Sequence, residues 1–131
     1  MKKAEVILAI EKLKKAFKKL EESVKITKDE LHKDGVIQRF EFTAELLWKT
    51  LKMILEYNSV DASGGPKMVI KQAFKFGYVP DDEIILDIME DRTLSSHIYD
   101  EKTSNEIFER IAEVYLKKIS EMINHIETKI Q

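Results

Sequence analysis

Apolar residues in the first part of the chain repeat at alternating spacings of four and three, and this repeat limits the folds open to the chain. The set is Val6, Ile10, Leu13, Phe17, Leu20 and Val24. An average period of about 3.5 residues places such side chains along one narrow side of an α-helix, which packs at a shallow angle against neighbouring helices. The spacing therefore predicts a bundle helix that ends near Ile26.

The same spacing returns in a second segment, which is predicted to be helical from about Asp34 to Tyr57. Its repeating residues are Ile37, Phe40, Ala44, Leu47, Leu51 and Ile54, and the apolar side is widened by Val36, Trp48 and Leu55. A wide apolar side implies burial against more than one neighbour. We interpret the extra width as a surface for a second copy of the chain, and we expect a homodimer.

The rest of the chain also consists of predicted helices joined by short connections. Pro66 and Gly77 bound a short helix, because proline suits a first helical turn and glycine a helix end. A further helix is predicted from Asp81 to Ser96, and the last one follows a connection at residues 100–105. We therefore predict an all-α fold, an antiparallel four-helix up-and-down bundle with one additional short helix. Residues 1–131 are expected to form a single helical-bundle domain.

Composition excludes several classes of protein. The chain contains no cysteine, so disulfide bonds and thiolate metal sites are excluded. Its first apolar run, residues 6–10, is too short for an export signal and far too short to span a membrane. We therefore expect a soluble protein of the cytoplasm that does not enter a membrane.

Polar side chains of catalytic type gather at the end of the helix predicted from Asp81 to Ser96. At about 100° per residue, Arg92 falls on the apolar side of that helix and Asp91 on the opposite side. His97 follows five residues after Arg92, and Tyr99 two residues later. Three polar side chains are therefore expected at one helix end.

The order of these residues resembles the signature of the HEPN domain family, as found in HepT-type toxins of toxin–antitoxin modules. That signature is an arginine, four residues, a histidine, one residue and a tyrosine, and residues 92–99 match it. Residues 36–52, 70–77 and 89–99 resemble, in the same order, the HEPN subfamily of nucleotidyltransferase substrate-binding proteins. One departure is Thr93, which stands where the ribonuclease branch of the family commonly has asparagine.

The resemblance implies a metal-independent endoribonuclease whose site is shared by two protomers. A histidine such as His97 can take the proton of a ribose hydroxyl or donate one to the leaving oxygen, and Arg92 can stabilise charge on the phosphoryl group. The resemblance further implies a partner, a minimal nucleotidyltransferase that silences the toxin by adenylylating Tyr99.

Four further residues are expected to support this site. Thr93 keeps a polar group beside Arg92, and Ser96 is a weak helix former that lets the helix end where the imidazole is presented. Glu41 and Glu45 border the apolar side of the second helix. One of these carboxylates holds Arg92, since a buried guanidinium needs a partner, or else both form ordinary ion pairs at the bundle edge.

Neither a metal nor a cofactor is expected. The three histidines, His32, His97 and His125, have no helical spacing for metal ligands and no clustered carboxylates in sequence. The glycine pair at residues 64–65 lacks the lysine and the preceding strand of a phosphate-binding loop.

Charge is distributed unevenly along the chain. Residues 81–113 contain eleven acidic and three basic residues, a balance of −8, whereas residues 1–33 contain ten lysines and six acids, a balance of +4. Acids around the motif repel RNA and attract a basic protein surface. Glutamates interrupt the lysines of the first helix, which favours a solvated face over a nucleic-acid surface. If RNA is bound, that helix must contribute.

Three functions therefore stay open. The first is a HEPN ribonuclease toxin that the nucleotidyltransferase neutralises. The second is a non-catalytic substrate-binding or regulatory subunit of a two-component nucleotidyltransferase. The third is an interaction bundle that retains the motif as structure.

Overall fold

The computed structural model describes residues 1–81, 83–97 and 100–130, and every regular element in these ranges is helical. The helices are α1 (Lys3–Lys25), α2 (Glu30–Tyr57), α3 (Pro66–Lys75), α4 (Glu83–Ser95), α5 (Glu101–Arg110) and α6 (Leu116–Ile130), and a π-helical turn, Ile111–Tyr115, joins the last two. The predicted all-α class is confirmed, whereas the antiparallel up-and-down order of four helices stays a prediction. None of the described helices is long and apolar enough to cross a lipid bilayer.

Helix α2 is the central element, because it contacts α1, α3, α4 and α5. Phe40 and Leu51 of this helix are fully buried. Val36 and Leu55, which widen its apolar side, are also buried, and Trp48 is half-buried against the same core. Helices of the same chain therefore account for the extra width, which no longer argues for a second copy. The homodimer itself stays a prediction.

Helix α2 begins at Glu30, about one turn earlier than predicted. Asp29 caps it, since its carboxylate accepts a hydrogen bond of 2.9 Å from the backbone N–H of His32. Such a cap satisfies one of the N–H groups that the first helical turn leaves free. The added turn reaches α5, where Lys33 Nζ donates to Asn105 Oδ1 at 2.9 Å.

The connection before α3 brings the start of that helix beside the end of α4. It turns at Gly64, whose φ of 93° lies in the left-handed region that favours glycine. Pro66 occupies the first turn of α3, as the sequence predicted. Helix α3 packs on α2 and α4, so the motif-bearing end of α4 has the start of α3 as a neighbour.

Candidate functional site

The last turn of α4 borders a cavity of about 670 Å³. Arg92, Thr93 and His97 line it, so the arginine and the histidine of the motif open onto the same space. Pro66 and Met68, at the start of α3, form another part of the wall. The volume falls within the range of about 300–1,000 Å³ that small-molecule sites occupy in proteins.

Glu45 of α2 holds Arg92 at the wall of this cavity. The Arg92 guanidinium is half-buried, with 37% of the side chain exposed, and forms an ion pair with the Glu45 carboxylate. The pair does not have hydrogen-bond angles, and among the described residues Glu45 Oε2 and Arg92 Nε make no hydrogen bond. Lys49, one turn further along α2, also pairs with Glu45, with 3.2 Å between Lys49 Nζ and Glu45 Oε1.

The charge of Glu45 is maintained by its neighbours. Burial raises the pKa of Glu45, but Trp48, Lys49 and Arg92 outweigh burial and hold that pKa below its ordinary value. The Trp48 indole N–H lies near Glu45 but does not meet hydrogen-bond geometry with any described group. Glu45 is therefore ionised at neutral pH, the state in which it can hold a guanidinium.

His97 is exposed and lies just beyond the last residue of α4. Its backbone N–H donates to the Leu94 carbonyl at 2.9 Å, a bond over three residues of the kind that tightens helix ends. The main chain thus places the imidazole at the edge of the cavity. Tyr99 lies outside the described residues, and its predicted role stays a prediction.

Thr93 and Ser96 use their hydroxyl groups within the helix. Thr93 Oγ1 donates to the Met89 carbonyl at 3.1 Å, and Ser96 Oγ donates to the Thr93 carbonyl at 2.7 Å. Such bonds to backbone carbonyls compete with the helical hydrogen bonds, and α4 ends at Ser95. Glu41 is half-buried and is not an ion-pair partner of Arg92 among the described residues.

Asp91 is a buried carboxylate beside the motif, and the prediction that it lies on the outer side of α4 was wrong. It is only 7% exposed. Two N–H groups of Arg110 donate to its oxygens at 2.7 and 2.9 Å, and the Tyr115 hydroxyl donates to it at 2.5 Å. The reason is that α4 contacts α5 as well as α2 and α3, so its polar side is also covered. Sequence reasoning therefore missed Asp91, Arg110 and Tyr115.

The π-helical turn makes this cluster possible. Residues five positions apart, such as Arg110 and Tyr115, lie about 140° apart around a regular α-helix. Here the Leu116 N–H donates to the Ile111 carbonyl five residues back, and this wider turn brings both side chains to Asp91. The hydrogen bond to Asp91 raises the pKa of Arg110, and burial raises the pKa of Tyr115, so both groups remain donors. The cluster fixes the last turn of α4, and π turns are frequent at functional sites.

Residues 8–128 match the sequence profile of a family described as nucleotidyltransferase substrate binding protein like. The chain belongs to this family. The resemblance to nucleotidyltransferase substrate-binding proteins is thereby confirmed over nearly the whole chain.

A curated relative and two solved structures extend the comparison. A Haemophilus influenzae (strain Rd) protein named probable ribonuclease HepT is 28% identical over 81 residues, which are 59% of this chain. Because the chain covers 56% of that protein, it spans about half the length of this relative. A crystal structure from Thermus thermophilus matches with a TM-score of 0.74 and 29% identity, covering 91% of this chain and 98% of that one.

The second solved structure, from Haemophilus influenzae, is described as revealing the fold of a substrate binding domain of a nucleotidyltransferase. It matches with a TM-score of 0.77 and 24% identity, covering 90% of this chain and 98% of that one. This nucleotidyltransferase substrate-binding family member therefore shares its helical fold with two solved structures.

The cavity combines a cation held in place with an exposed imidazole. A guanidinium binds phosphate oxygens through several N–H groups, and an imidazole can accept or donate a proton near neutral pH. Within the described ranges, no group of three or more His, Cys, Asp or Glu side chains is arranged to hold a metal ion. The residues present are suited to binding a phosphate ester and to moving a proton beside it.

Proposed function

We propose that this chain is the HEPN subunit of a two-component toxin–antitoxin module and cleaves RNA without a metal ion, with a minimal nucleotidyltransferase as its partner. The observation that carries the proposal is that Arg92 and His97 line one cavity while Glu45 holds the guanidinium. Family membership and the similarity to a protein named probable ribonuclease HepT support it. The same proposal includes the up-and-down order of the helices and a cytoplasmic location.

Cleavage proceeds by attack of a ribose 2′-oxygen on the adjacent phosphorus. One imidazole, His97, takes the 2′-hydroxyl proton as the new P–O bond forms. The bond between phosphorus and the 5′-oxygen breaks, and a second imidazole gives that oxygen a proton. Arg92 stabilises the negative charge that develops on the phosphoryl oxygens. The products are a 2′,3′-cyclic phosphate and a 5′-hydroxyl end.

Two imidazoles with opposite roles require two copies of the motif. Each chain contains only one motif histidine, so the proposed unit is a homodimer in which two copies of the last turn of α4 face one cleft. The exposure of His97 supports this arrangement, because the imidazole is accessible from outside its own chain.

The nucleotidyltransferase silences the toxin by transferring AMP to Tyr99. The phenol oxygen attacks the α-phosphorus of ATP, pyrophosphate leaves, and the phenol proton passes to solvent. The new phosphate is attached within residues 81–113, which contain eleven acidic and three basic residues. Its added negative charge further repels RNA. The same acidic region suits a basic docking face on the partner.

A second function, a non-catalytic substrate-binding or regulatory subunit of a two-component nucleotidyltransferase, is favoured by two observations. The family description refers to substrate binding and not to cleavage. In addition, Pro66, Met68 and Leu94 give the cavity an apolar wall that suits a ligand with an apolar face, such as a nucleobase. In this role Arg92 and His97 bind the substrate instead of cleaving RNA.

The experiment that separates the two functions measures RNA cleavage by the purified chain in EDTA. We expect the parent to cleave a structured RNA mixture and His97→Ala to be slower by about 100-fold or more, because general acid–base groups contribute about 10²–10⁴ in rate. His32→Ala is the matched control, since His32 is also exposed and does not line the cavity.

Cleavage by folded His97→Ala at the parent rate would remove this histidine from the mechanism. A parent protein that cleaves nothing, with or without metal, would instead establish the substrate-binding subunit as the better proposal.

A further inference from the structure

The fold sorts the lysines of α1 into two groups. Lys12, Lys15 and Lys19 lie three and four residues apart and therefore share one face of the helix. Together with α2 they line a groove of about 300 Å³. We call this the basic groove, and its defining residues are Lys12, Lys15, Lys19, Arg39, Phe42 and Leu46.

The four cations of the basic groove lie outside every ion pair in the described part of the chain. None of the ion pairs among the described residues includes Lys12, Lys15, Lys19 or Arg39, and all four side chains are exposed. Lys14, on another face of α1, instead pairs with Glu127 of α6 at 3.0 Å. The glutamates that interrupt the lysines in sequence therefore do not neutralise this face in the fold.

An aromatic ring lies among these cations. Phe42 is 60% exposed, more than any other described aromatic side chain. Leu46 and Ala16 supply an apolar floor beside it. Cations along a groove together with an exposed aromatic ring are the combination that binds single-stranded nucleic acids, where phosphates contact the cations and bases stack on the ring.

We propose that the basic groove binds single-stranded RNA, with phosphates at the four cations and a base stacked on Phe42. The identification of the ligand as RNA rests on the proposed function, whereas the assignment of the groove as a binding site rests on its charge and its exposure. Lys12 and Lys19 are about 10 Å apart along α1, enough for more than one phosphate contact. An acidic peptide would also meet the cations, but it gives no reason for an exposed aromatic ring.

The groove also accounts for RNA affinity in a chain whose motif is surrounded by acids. Phe42 and Glu45 are three residues apart on α2, so their side chains are neighbours on that helix. A strand held on the basic groove is therefore held beside the face of α2 that positions Arg92. The residues of the basic groove then bind the RNA, whereas Arg92 and His97 act on the bond that is cleaved.

The test measures binding of a labelled oligouridylate to the full chain in a His97→Ala background, so that no RNA is consumed. The groove variant is Lys12→Ala/Lys15→Ala/Lys19→Ala, and the matched control is Lys18→Ala/Lys25→Ala/Lys28→Ala, which removes the same charge from exposed lysines outside the groove. Alanine favours helix, so the groove variant is expected to fold. Circular dichroism and thermal unfolding check this.

Four phosphate contacts predict that log K falls with log salt at a slope of about −2.8, since each contact contributes about 0.7 for single strands. In the groove variant the slope should become shallower by about 2, because three of the four contacts are removed. The control variant should keep the parent slope. Phe42→Leu should weaken binding by about fivefold or more, because a stacked base is lost, while Phe42→Trp should retain it.

Parent affinity and parent slope in the groove variant would overturn the proposal. Unchanged RNA binding together with a changed oligomeric mass, or with lost binding of the nucleotidyltransferase, would assign the groove to a protein contact and would overturn it as well. A parent that binds RNA through the groove but cleaves none would support this inference and overturn only the proposed ribonuclease activity.

Discussion

The Arg92 guanidinium is held by one carboxylate and is only partly covered. Three polar atoms around it, Arg92 Nε, Glu45 Oε2 and Trp48 Nε1, are buried and make no hydrogen bond among the described residues. A buried donor without an acceptor costs about 1–3 kcal/mol, so water or an oxygen of a ligand is the favourable partner for such donors.

Glu45 makes the stability of this site depend on pH. The pKa of Glu45 is lower in the folded chain than in the unfolded chain. Ionised Glu45 therefore stabilises the fold at pH values above the ordinary pKa of a carboxyl group, and this stabilisation is lost as the pH falls through the lowered pKa. We expect Glu45→Gln to be less stable than the parent at neutral pH, by about 1 kcal/mol or less because the pair is partly exposed. The difference should shrink as the solution is acidified.

Urea unfolding over a range of pH values measures this difference. Glu56→Gln is the control, since Glu56 is exposed and is in no ion pair among the described residues. A parent and a Glu45→Gln variant of equal stability at neutral pH would show that the pair with Arg92 contributes nothing.

At the scale of elements, the π-helical turn between α5 and α6 determines which residues face α4. Without it, Arg110 and Tyr115 would point to different sides, and Asp91 would lose one of its donors. Tyr115 also stacks on Phe40 of α2, with ring centroids 5.6 Å apart. The π-helical turn thus links α2, α4 and α5 beside the motif.

Loss of this cluster should lower stability by a measurable amount. We expect Asp91→Asn to destabilise the fold by about 2 kcal/mol, less than for a fully buried pair because Arg110 is partly exposed. Tyr115→Phe removes one hydrogen bond and should cost about 1 kcal/mol. Asp87→Asn, on the exposed side of α4, should stay within about 0.5 kcal/mol of the parent.

Chemical denaturation of the three variants and of the Asp91→Asn/Tyr115→Phe double variant tests the cluster. Because the two residues share a hydrogen bond, the double variant should lose less than the two single losses together. Additive losses would mean that the short contact between them does not couple the two helices.

At the scale of the whole molecule, residues 81–113 stay strongly acidic, since their balance of −8 already includes Arg110. Arg110 neutralises Asp91, and Lys118 of α6 forms an ion pair with Asp81. The cations of the basic groove lie on α1 and α2. Our two proposals accordingly assign RNA to the basic groove and a basic partner to the acidic residues of 81–113.

The composite mechanism predicts that activity depends on association of two copies. We expect the purified chain to have the mass of a homodimer at micromolar concentration, measured by light scattering in the absence of the nucleotidyltransferase. Cleavage per chain should decrease on dilution in parallel with dissociation of the dimer, because each monomer contains one motif. Full activity of a monomer would contradict the shared site while leaving cleavage itself in place.

The sequence by itself determined the helical class and the location of the motif. The spacings from Val6 to Val24 and from Ile37 to Ile54 predict helices, because a period near 3.5 residues is a local property of the chain. The end of α4 near Ser95 and the closeness of Arg92 to His97 could also be predicted, because these residues are close in sequence. The capping of α2 by Asp29 is also local, but a later start near Asp34 was predicted.

Only the tertiary structure decided which charges are paired. In sequence, one of Glu41 and Glu45 was expected to hold Arg92 unless both formed ordinary ion pairs, Asp91 was placed on the outer side of α4, and a solvated face was favoured for the lysines of α1. The fold pairs Arg92 with Glu45 and buries Asp91 against Arg110, and none of the described residues that line the basic groove is acidic. Periodicity tells which side of a helix is apolar, whereas pairing depends on which helix covers the other sides, and that is set by contacts between residues far apart in the chain.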